Sequence, residues 1–389
     1  MSIPTISQEE ELHWLALVLV AGLGARKAAL LLDRFRSPRE IFQLPAQELE
    51  AAGLAPSVAR SIASGCTFED AVRQQERMKA AGVRAIPLTS GEYPPRLREI
   101  FDPPLVLFAL GRVELLQGIM VGVVGTRRAS PYGKAVTQKL AGDLSRAGVV
   151  VVSGMARGID TAAHRAALDA GGGTVAVFGC GVDVIYPSEN RQLAAEIAAC
   201  GLIVSEFPMG APAYPQNFPV RNRIIAGMSA GTVIVEGAQY SGSTITARLA
   251  LEQGRELFAV PGNITSRLSW APNLLIKQGA KLVQDWNDIV EELPEADRRT
   301  LARNGRQRLL EQAAEEAGEQ KAMDFGPNAP LAKALLAAVR PDEPVHIDVL
   351  LEKLEGYSSS EIIATLFELE MLGLVRQLPG RNYVTVWQG

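Results

Sequence analysis

From residue 119 onwards the chain alternates two kinds of segment with a regularity that few folds accommodate. Short, almost unbroken apolar runs, IMVGVVG, VVVVSG, TVAVFG, LIVSEF, TVIVEG and ELFAVPG, are separated by helix-like stretches. A strand that is apolar along its whole length needs cover on both faces, and helical crossovers between such strands imply parallel pairing. The pattern predicts a Rossmann-like, doubly wound, mostly parallel sheet over residues 83–293, to which VRAIPL and PLVLFALG add two further strands. Ser130-Pro131 supplies an N-cap followed by proline at the first helical position, which sets the start of the first crossover helix.

The 389 residues are too many for one typical domain, and the flanks differ in pattern from the centre. Residues 1–82 read as short helices around the turns of LVAGLGARKAALLLDRF and LEAAGLAPSVARSIASG, a module of the helix-hairpin-helix or sterile-alpha-motif type. Such hairpins present backbone N–H groups to phosphate, with Arg26 and Lys27 beside them, or else the glycines serve only tight turns. Residues 294–328 are charged and poor in aromatics, as a linker is. Residues 329–389 read as three helices and a hairpin turning at Pro379-Gly380, a winged helix whose third helix opens on a capping box of Ser358 and Glu361. That helix carries Glu361, Glu368 and Glu370 without a lysine or arginine, so it is expected to bind protein rather than duplex DNA.

The net charge of −4 argues against a globally basic coat but permits a local basic groove. Three cysteines without C-x-x-C pairing and three dispersed histidines give neither a disulfide framework nor a metal site, and no cofactor is expected. The acidic N-terminus lacks the basic start of a signal peptide, and Trp14–Val20 is too short to span a bilayer, so a cytoplasmic protein is expected.

In an open α/β sheet ligands bind outside the carboxyl ends of the strands. The residues after each predicted strand are therefore the candidates: Gly125, Thr126, Arg127 and Arg128; Ser153, Gly154, Arg157 and Gly158; Gly181; Arg221, Asn222 and Arg223; and Ser241, Gly242, Ser243 and Thr244. Glycine permits close backbone approach, hydroxyls and helix N-termini bind anionic oxygens, and arginine adds a fork suited to phosphate. The G-x-G-x-x-G of a dinucleotide site is absent, and so many anion-binding turns on one edge point to an extended polyanion. Competing readings stay open for several: Arg157 pairs with Asp160 or Asp183, one of Arg221 and Arg223 pairs with Glu236 or Glu206, and Ser241–Thr244 is a simple N-cap. Phe207, Tyr214 and Phe218 are candidates either for stacking on bases or for the core. Cys180 reads as a small buried side chain, His164 as a packed one, and no nucleophile–base pair emerges.

The motifs GVVGTRRAS, VVSGMARGIDTAAHRAAL, VFGCGVDVIYPSEN, SEFPMG, FPVRNRIIAGMS, VEGAQYSGSTITARLALEQGRELFAVPGN and NLLIKQGA together resemble the DprA/Smf family of DNA-processing proteins. The resemblance runs over about residues 83–285, and the flanking modules look like the family's optional terminal domains. It implies single-stranded DNA binding, homodimerisation through the Rossmann-like domain, and loading of the RecA recombinase during natural transformation and recombination. It also implies contacts through Arg127, through Ser153 and Gly154, and through Arg221–Arg223; Ser188 stands where relatives often carry a lysine. The alternative is a phosphoribohydrolase-like enzyme of the same superfamily, but the expected glutamate three residues past the Ser-Thr pair is missing.

Overall fold

The computed structural model describes residues 7–239, 241–305, 329–339, 344–354, 356–371 and 374–385, which fall into two compact units divided after Gly305. In the first unit nine strands form one sheet: β1 (Arg84–Pro87), β2 (Val106–Gly111), β3 (Met120–Val124), β4 (Val150–Ser153), β5 (Thr174–Phe178), β6 (Leu202–Ser205), β7 (Gly231–Ile234), β8 (Glu256–Ala259) and β9 (Lys281–Leu282). Their order is β1-β2-β6-β5-β4-β3-β7-β8-β9. All pairs from β6 to β9 are parallel, while β1 and β2 form an antiparallel edge. Starting at β3 the chain winds outward through β4, β5 and β6, then returns to place β7 on the other side of β3. The topological switch point therefore lies between β3 and β7.

Alternation along each strand sorts the core into two layers. Val121 and Val123 face the helices Pro131–Arg146 and Ile159–Asp169, whereas Met120 and Val124 face Ile224, Ile225 and Met228 of the helix Asn217–Met228. Ala176, Phe178 and Ile203 share a third cluster with Trp14, Leu17 and Ile62, so the N-terminal helices pack directly on the sheet layer. The expected N-cap forms: the Ser130 hydroxyl accepts from the Gly133 N–H at 3.0 Å, with Pro131 at the first helical position. Residues 294–305, expected as the start of the linker, belong to the first unit. Leu301 is buried in the core with Ile289 and Leu293, and Asp297 pairs with Arg96. Residues 306–328 lie outside the described residues.

The second unit contains helices Ala329–Ala338, Ile347–Lys353 and Ser359–Met371. Strands β10 (Val345–His346), β11 (Val375–Leu378) and β12 (Asn382–Thr385) form an antiparallel sheet in the order β10-β12-β11 around its own small core. It is a winged helix. The capping box forms, with Ser358 N donating to Glu361 at 2.8 Å and Glu361 N donating to the Ser358 hydroxyl at 3.3 Å. Gly380 takes a φ of 80° in the wing turn, a region that suits glycine.

Candidate nucleic-acid interface

A cleft of about 240 Å³ opens at the carboxyl ends of β3, β4 and β5. Arg127 comes from the turn after β3, Gly154 and Arg157 from the turn after β4, Tyr186 and Ser188 from the loop after β5, and Phe218 and Arg221 from the helix that precedes β7. The side chains gather around Phe218. Phe218 and Tyr186 lie with ring centroids 5.3 Å apart, and the guanidinium carbons of Arg127 and Arg221 sit 5.7 Å and 5.9 Å from the Phe218 centroid. Arg127 is exposed, and among the described residues no carboxylate pairs with it. It presents a free fork at the mouth, with an aromatic ring holding its other face.

Arg221 plays a different part. It is 4% exposed, donates to the carbonyl of Val177 on β5 at 2.6 Å, and lies so close against Gly154 that a Cβ there would strike its guanidinium. Burial pushes its pKa down to about 10, an effect the nearby Asp160 charge opposes. Asp160 itself accepts from the N–H groups of Gly154 at 3.2 Å and Ala156 at 3.3 Å. Burial raises its pKa, chiefly against the pull of Arg221. The backbone donors of the turn after β4 thus already hold an internal carboxylate.

Several expected contacts fall elsewhere. Arg223 is 7% exposed and ion-paired with Glu206 at 2.5 Å and Asp102 at 3.2 Å. Two residues along a helix is a rotation of about 200°, so Arg221 and Arg223 cannot face the same side. Of the two acids considered as partners, Glu206 holds Arg223, and Glu236 instead accepts from Ser130. Ser153 is fully buried and donates to the Val123 carbonyl at 2.6 Å, which removes its side chain from the surface. Gly158, at φ 80°, lies so near the Thr126 and Arg127 backbone that a Cβ has no room; it shapes the arginine turn rather than lining the cleft. Gly181 is covered by the Pro208–Gly210 segment, its Cβ position 2.8 Å from Gly210 N. Arg157 does pair with a carboxylate, but with Glu189 rather than Asp160 or Asp183, and that pair is exposed.

Gly125 and Thr126 hold the turn in place, with Thr126 N donating to the Glu236 carbonyl at 2.8 Å and the Thr126 hydroxyl accepting from Arg128 N at 3.2 Å. Arg128 is exposed beside Arg127, and Asn222 is half-buried outside the lining of the cleft. Ser241, Gly242, Ser243 and Thr244 start a helix on the far side of β3, across the switch point; the Ser241 and Ser243 hydroxyls bond each other at 2.7 Å, and Thr244 donates to the Ser241 carbonyl at 2.6 Å. They stand on the same sheet edge but outside the cleft. Tyr186 and Glu189 were not anticipated; the signal was an aromatic and an acid flanking Pro187-Ser188 in a strand-end loop. Of the three aromatics singled out, Phe218 alone lines the cleft.

Cys180 and His164 are both committed to the interior. The Cys180 thiol donates to the Val184 carbonyl and is pushed up to about 11 by burial, the opposite of an activated nucleophile. His164 is fully buried against the Thr174 hydroxyl at 2.7 Å. Among the described residues no His, Cys, Asp and Glu cluster is placed to hold a metal, and no helix is long and apolar enough to cross a membrane.

Comparison with known proteins agrees with this architecture. Residues 84–294 match the family of DNA recombination-mediator protein A, and residues 319–381 match the DprA winged helix domain. DNA processing protein DprA of Bacillus subtilis (strain 168) is 47% identical over 215 residues, which span 55% of this chain and 72% of that protein. The X-ray structure of DprA from Streptococcus pneumoniae superposes with a TM-score of 0.63 at 34% identity, covering 75% of this chain and 99% of the other. DNA processing protein A of Helicobacter pylori, described for its single-stranded DNA binding mode, superposes with a TM-score of 0.50 at 31% identity over 55% of this chain and 97% of its own. With a sheet, a winged helix and motifs that all agree, the chain belongs to the DprA/Smf family of DNA-processing proteins.

Proposed function

We propose that this DprA/Smf protein binds single-stranded DNA along the carboxyl edge of its sheet and hands it to a RecA-type recombinase, in DNA uptake and recombination. The observation that carries the reading is the cleft with Arg127 exposed over Phe218 and Tyr186 alongside. A cation for the backbone beside aromatic faces for unstacked bases is the general recipe for single strands, since duplex bases are stacked away from such faces. The single-strand binding described for the Helicobacter pylori relative supports it. Arg128 and Ser241–Thr244 extend the track along the edge beyond the cleft.

Homodimerisation through the sheet domain, a cytoplasmic location and a non-catalytic role are part of the same proposal. The winged helix we assign to protein contact. On its third helix Glu361 is engaged in the cap, Glu370 accepts from Gln377 N at 3.1 Å, and Ile363 and Phe367, one turn apart, face solvent. Duplex binding by the fragment 326–389 would overturn that assignment.

The test is fluorescence anisotropy with labelled oligothymidylate and a duplex of equal length. Wild type is expected to prefer the single strand, and Arg127→Ala to lose roughly tenfold to a hundredfold in affinity, the worth of a charge-assisted hydrogen bond. Equal affinity for both DNA forms, or an unaffected variant, contradicts the reading.

A further inference from the structure

We infer that Glu236 is the protein's own stand-in for a nucleotide phosphate, and that it closes the switch-point crevice to mononucleotides and other phosphate monoesters. The inference rests on the fold and the packing around β3 and β7, and holds whether or not the neighbouring cleft takes single-stranded DNA.

Glu236 ends the run that follows β7, beside β3, and is 3% exposed. One carboxylate oxygen accepts from Ser130 N at 2.9 Å and the other from the Ser130 hydroxyl at 2.5 Å. Ser130 caps the 16-residue helix Pro131–Arg146, and its hydroxyl in turn accepts from Gly133 N at 3.0 Å. The carboxylate therefore sits on the positive end of the first crossover helix, where a doubly wound fold holds a phosphate. Among the described residues no lysine or arginine pairs with it.

The space around the carboxylate is cut to fit. A Cβ on Gly133 would run into it. A glycine at this place lets an anion approach the backbone, and here the anion is covalently part of the chain. A buried carboxylate without a cation is costly unless its environment supplies equivalent stabilisation. Ser130 and the helix end supply it. An incoming phosphate monoester would have to displace a tethered group already holding these donors.

Phosphate and AMP titrations on the full-length chain test this, with thermal unfolding and ³¹P linewidth as readouts. All variants carry Arg127→Ala, which removes the cleft's free guanidinium. With Glu236 intact, and with Glu236→Gln, which still fills the seat, no response beyond that to chloride at equal ionic strength is expected. Glu236→Ala empties the seat, and phosphate at a hundredfold to a thousandfold its dissociation constant is then expected to raise the melting temperature by roughly 4–6 °C and broaden the phosphorus line. If Glu236→Ala is unfolded in chloride, recovery in phosphate counts as the same result, and Glu236→Ser is the second variant. A folded Ala or Ser variant indifferent to phosphate overturns the inference, as does an equal response with Glu236 in place. So does failure of both variants to fold in either anion. Single-strand affinity of the Arg127-containing proteins, measured alongside, separates this outcome from failure of the DNA-binding reading.

Discussion

The helix Asn217–Met228 borders two regions that use arginine in opposite ways. On one side lies the cleft, where Arg127 stands exposed over Phe218 and Arg157 pairs with Glu189 in contact with solvent. On the other lies a closed cluster in which Arg223 is held between Glu206 and Asp102. Exposed ion pairs contribute little to stability, because solvent screens them and ordering long side chains costs entropy. Buried pairs cannot lose one partner without stranding the other. Arginine in the cleft is thus available to an outside phosphate, and arginine behind the helix is committed to the fold. The backbone donors divide the same way: Asp160 and Glu236 hold those after β4 and at the switch point, while among the described residues the exposed guanidinium groups of Arg127 and Arg128 stay uncommitted.

This contrast is open to attack at several points. The largest effect is expected from Arg223→Ala, which strands the Glu206 carboxylate, a group that burial already pushes above its usual range against the pull of Arg223. Urea unfolding is expected to show a loss of about 3–5 kcal/mol, with single-strand affinity of the folded protein unchanged. A stable variant that binds weakly would move Arg223 into the interface.

Next comes Tyr186→Ala, half-exposed beside Phe218. It is expected to cost about 1–3 kcal/mol of single-strand affinity, the worth of one stacked base, and almost no stability. Anisotropy and thermal unfolding on the same sample decide between a stacking surface and a packing one.

The interior also carries a pH signature. Burial pushes His164 down to about 3, with the Arg221 charge adding to the effect. The unfolded chain takes up that proton near pH 6.5 and the folded protein does not, so stability falls as the pH drops from about 6.5 towards 3, by up to about 1.4 kcal/mol per pH unit. Asp160 and Glu206, raised by burial, have the opposite sign; their relative contribution is greatest in acid and is lost as the pH rises through their folded values. Comparing wild type with His164→Gln between pH 7 and 5 isolates the histidine. Parallel curves would contradict its neutral burial.

The smallest change is Glu189→Gln. It frees Arg157 from an exposed pair and is expected to raise single-strand affinity no more than about fivefold, and only at low salt.

Much of this was legible in the chain. The strands β3 to β8 follow from apolar runs that need cover on both faces, and the caps at Ser130 and Ser358 follow from local chemistry. The strands β9 and β10 have two residues each, too short to show a period. Apolar content says nothing of strand direction, so the antiparallel edge of β1 and β2 was invisible. Spacing alone separates Arg221 from Arg223, but which one turns to the cleft depends on where Val177 and Glu206 lie in space. Gly158 carries the composition of a ligand loop, yet it serves backbone packing against Thr126. The partner of Glu236 depends on β7 lying beside β3, a pairing of strands far apart in sequence.

One measurement reaches the central contrast most directly: the salt dependence of single-strand affinity for wild type, Arg127→Ala and Arg223→Ala. The expected result is a slope of log affinity against log salt that is shallower by about 0.7 in Arg127→Ala, one phosphate contact removed, and unchanged in Arg223→Ala. Equal slopes in wild type and Arg127→Ala, or a shallower slope in Arg223→Ala alone, would contradict the account.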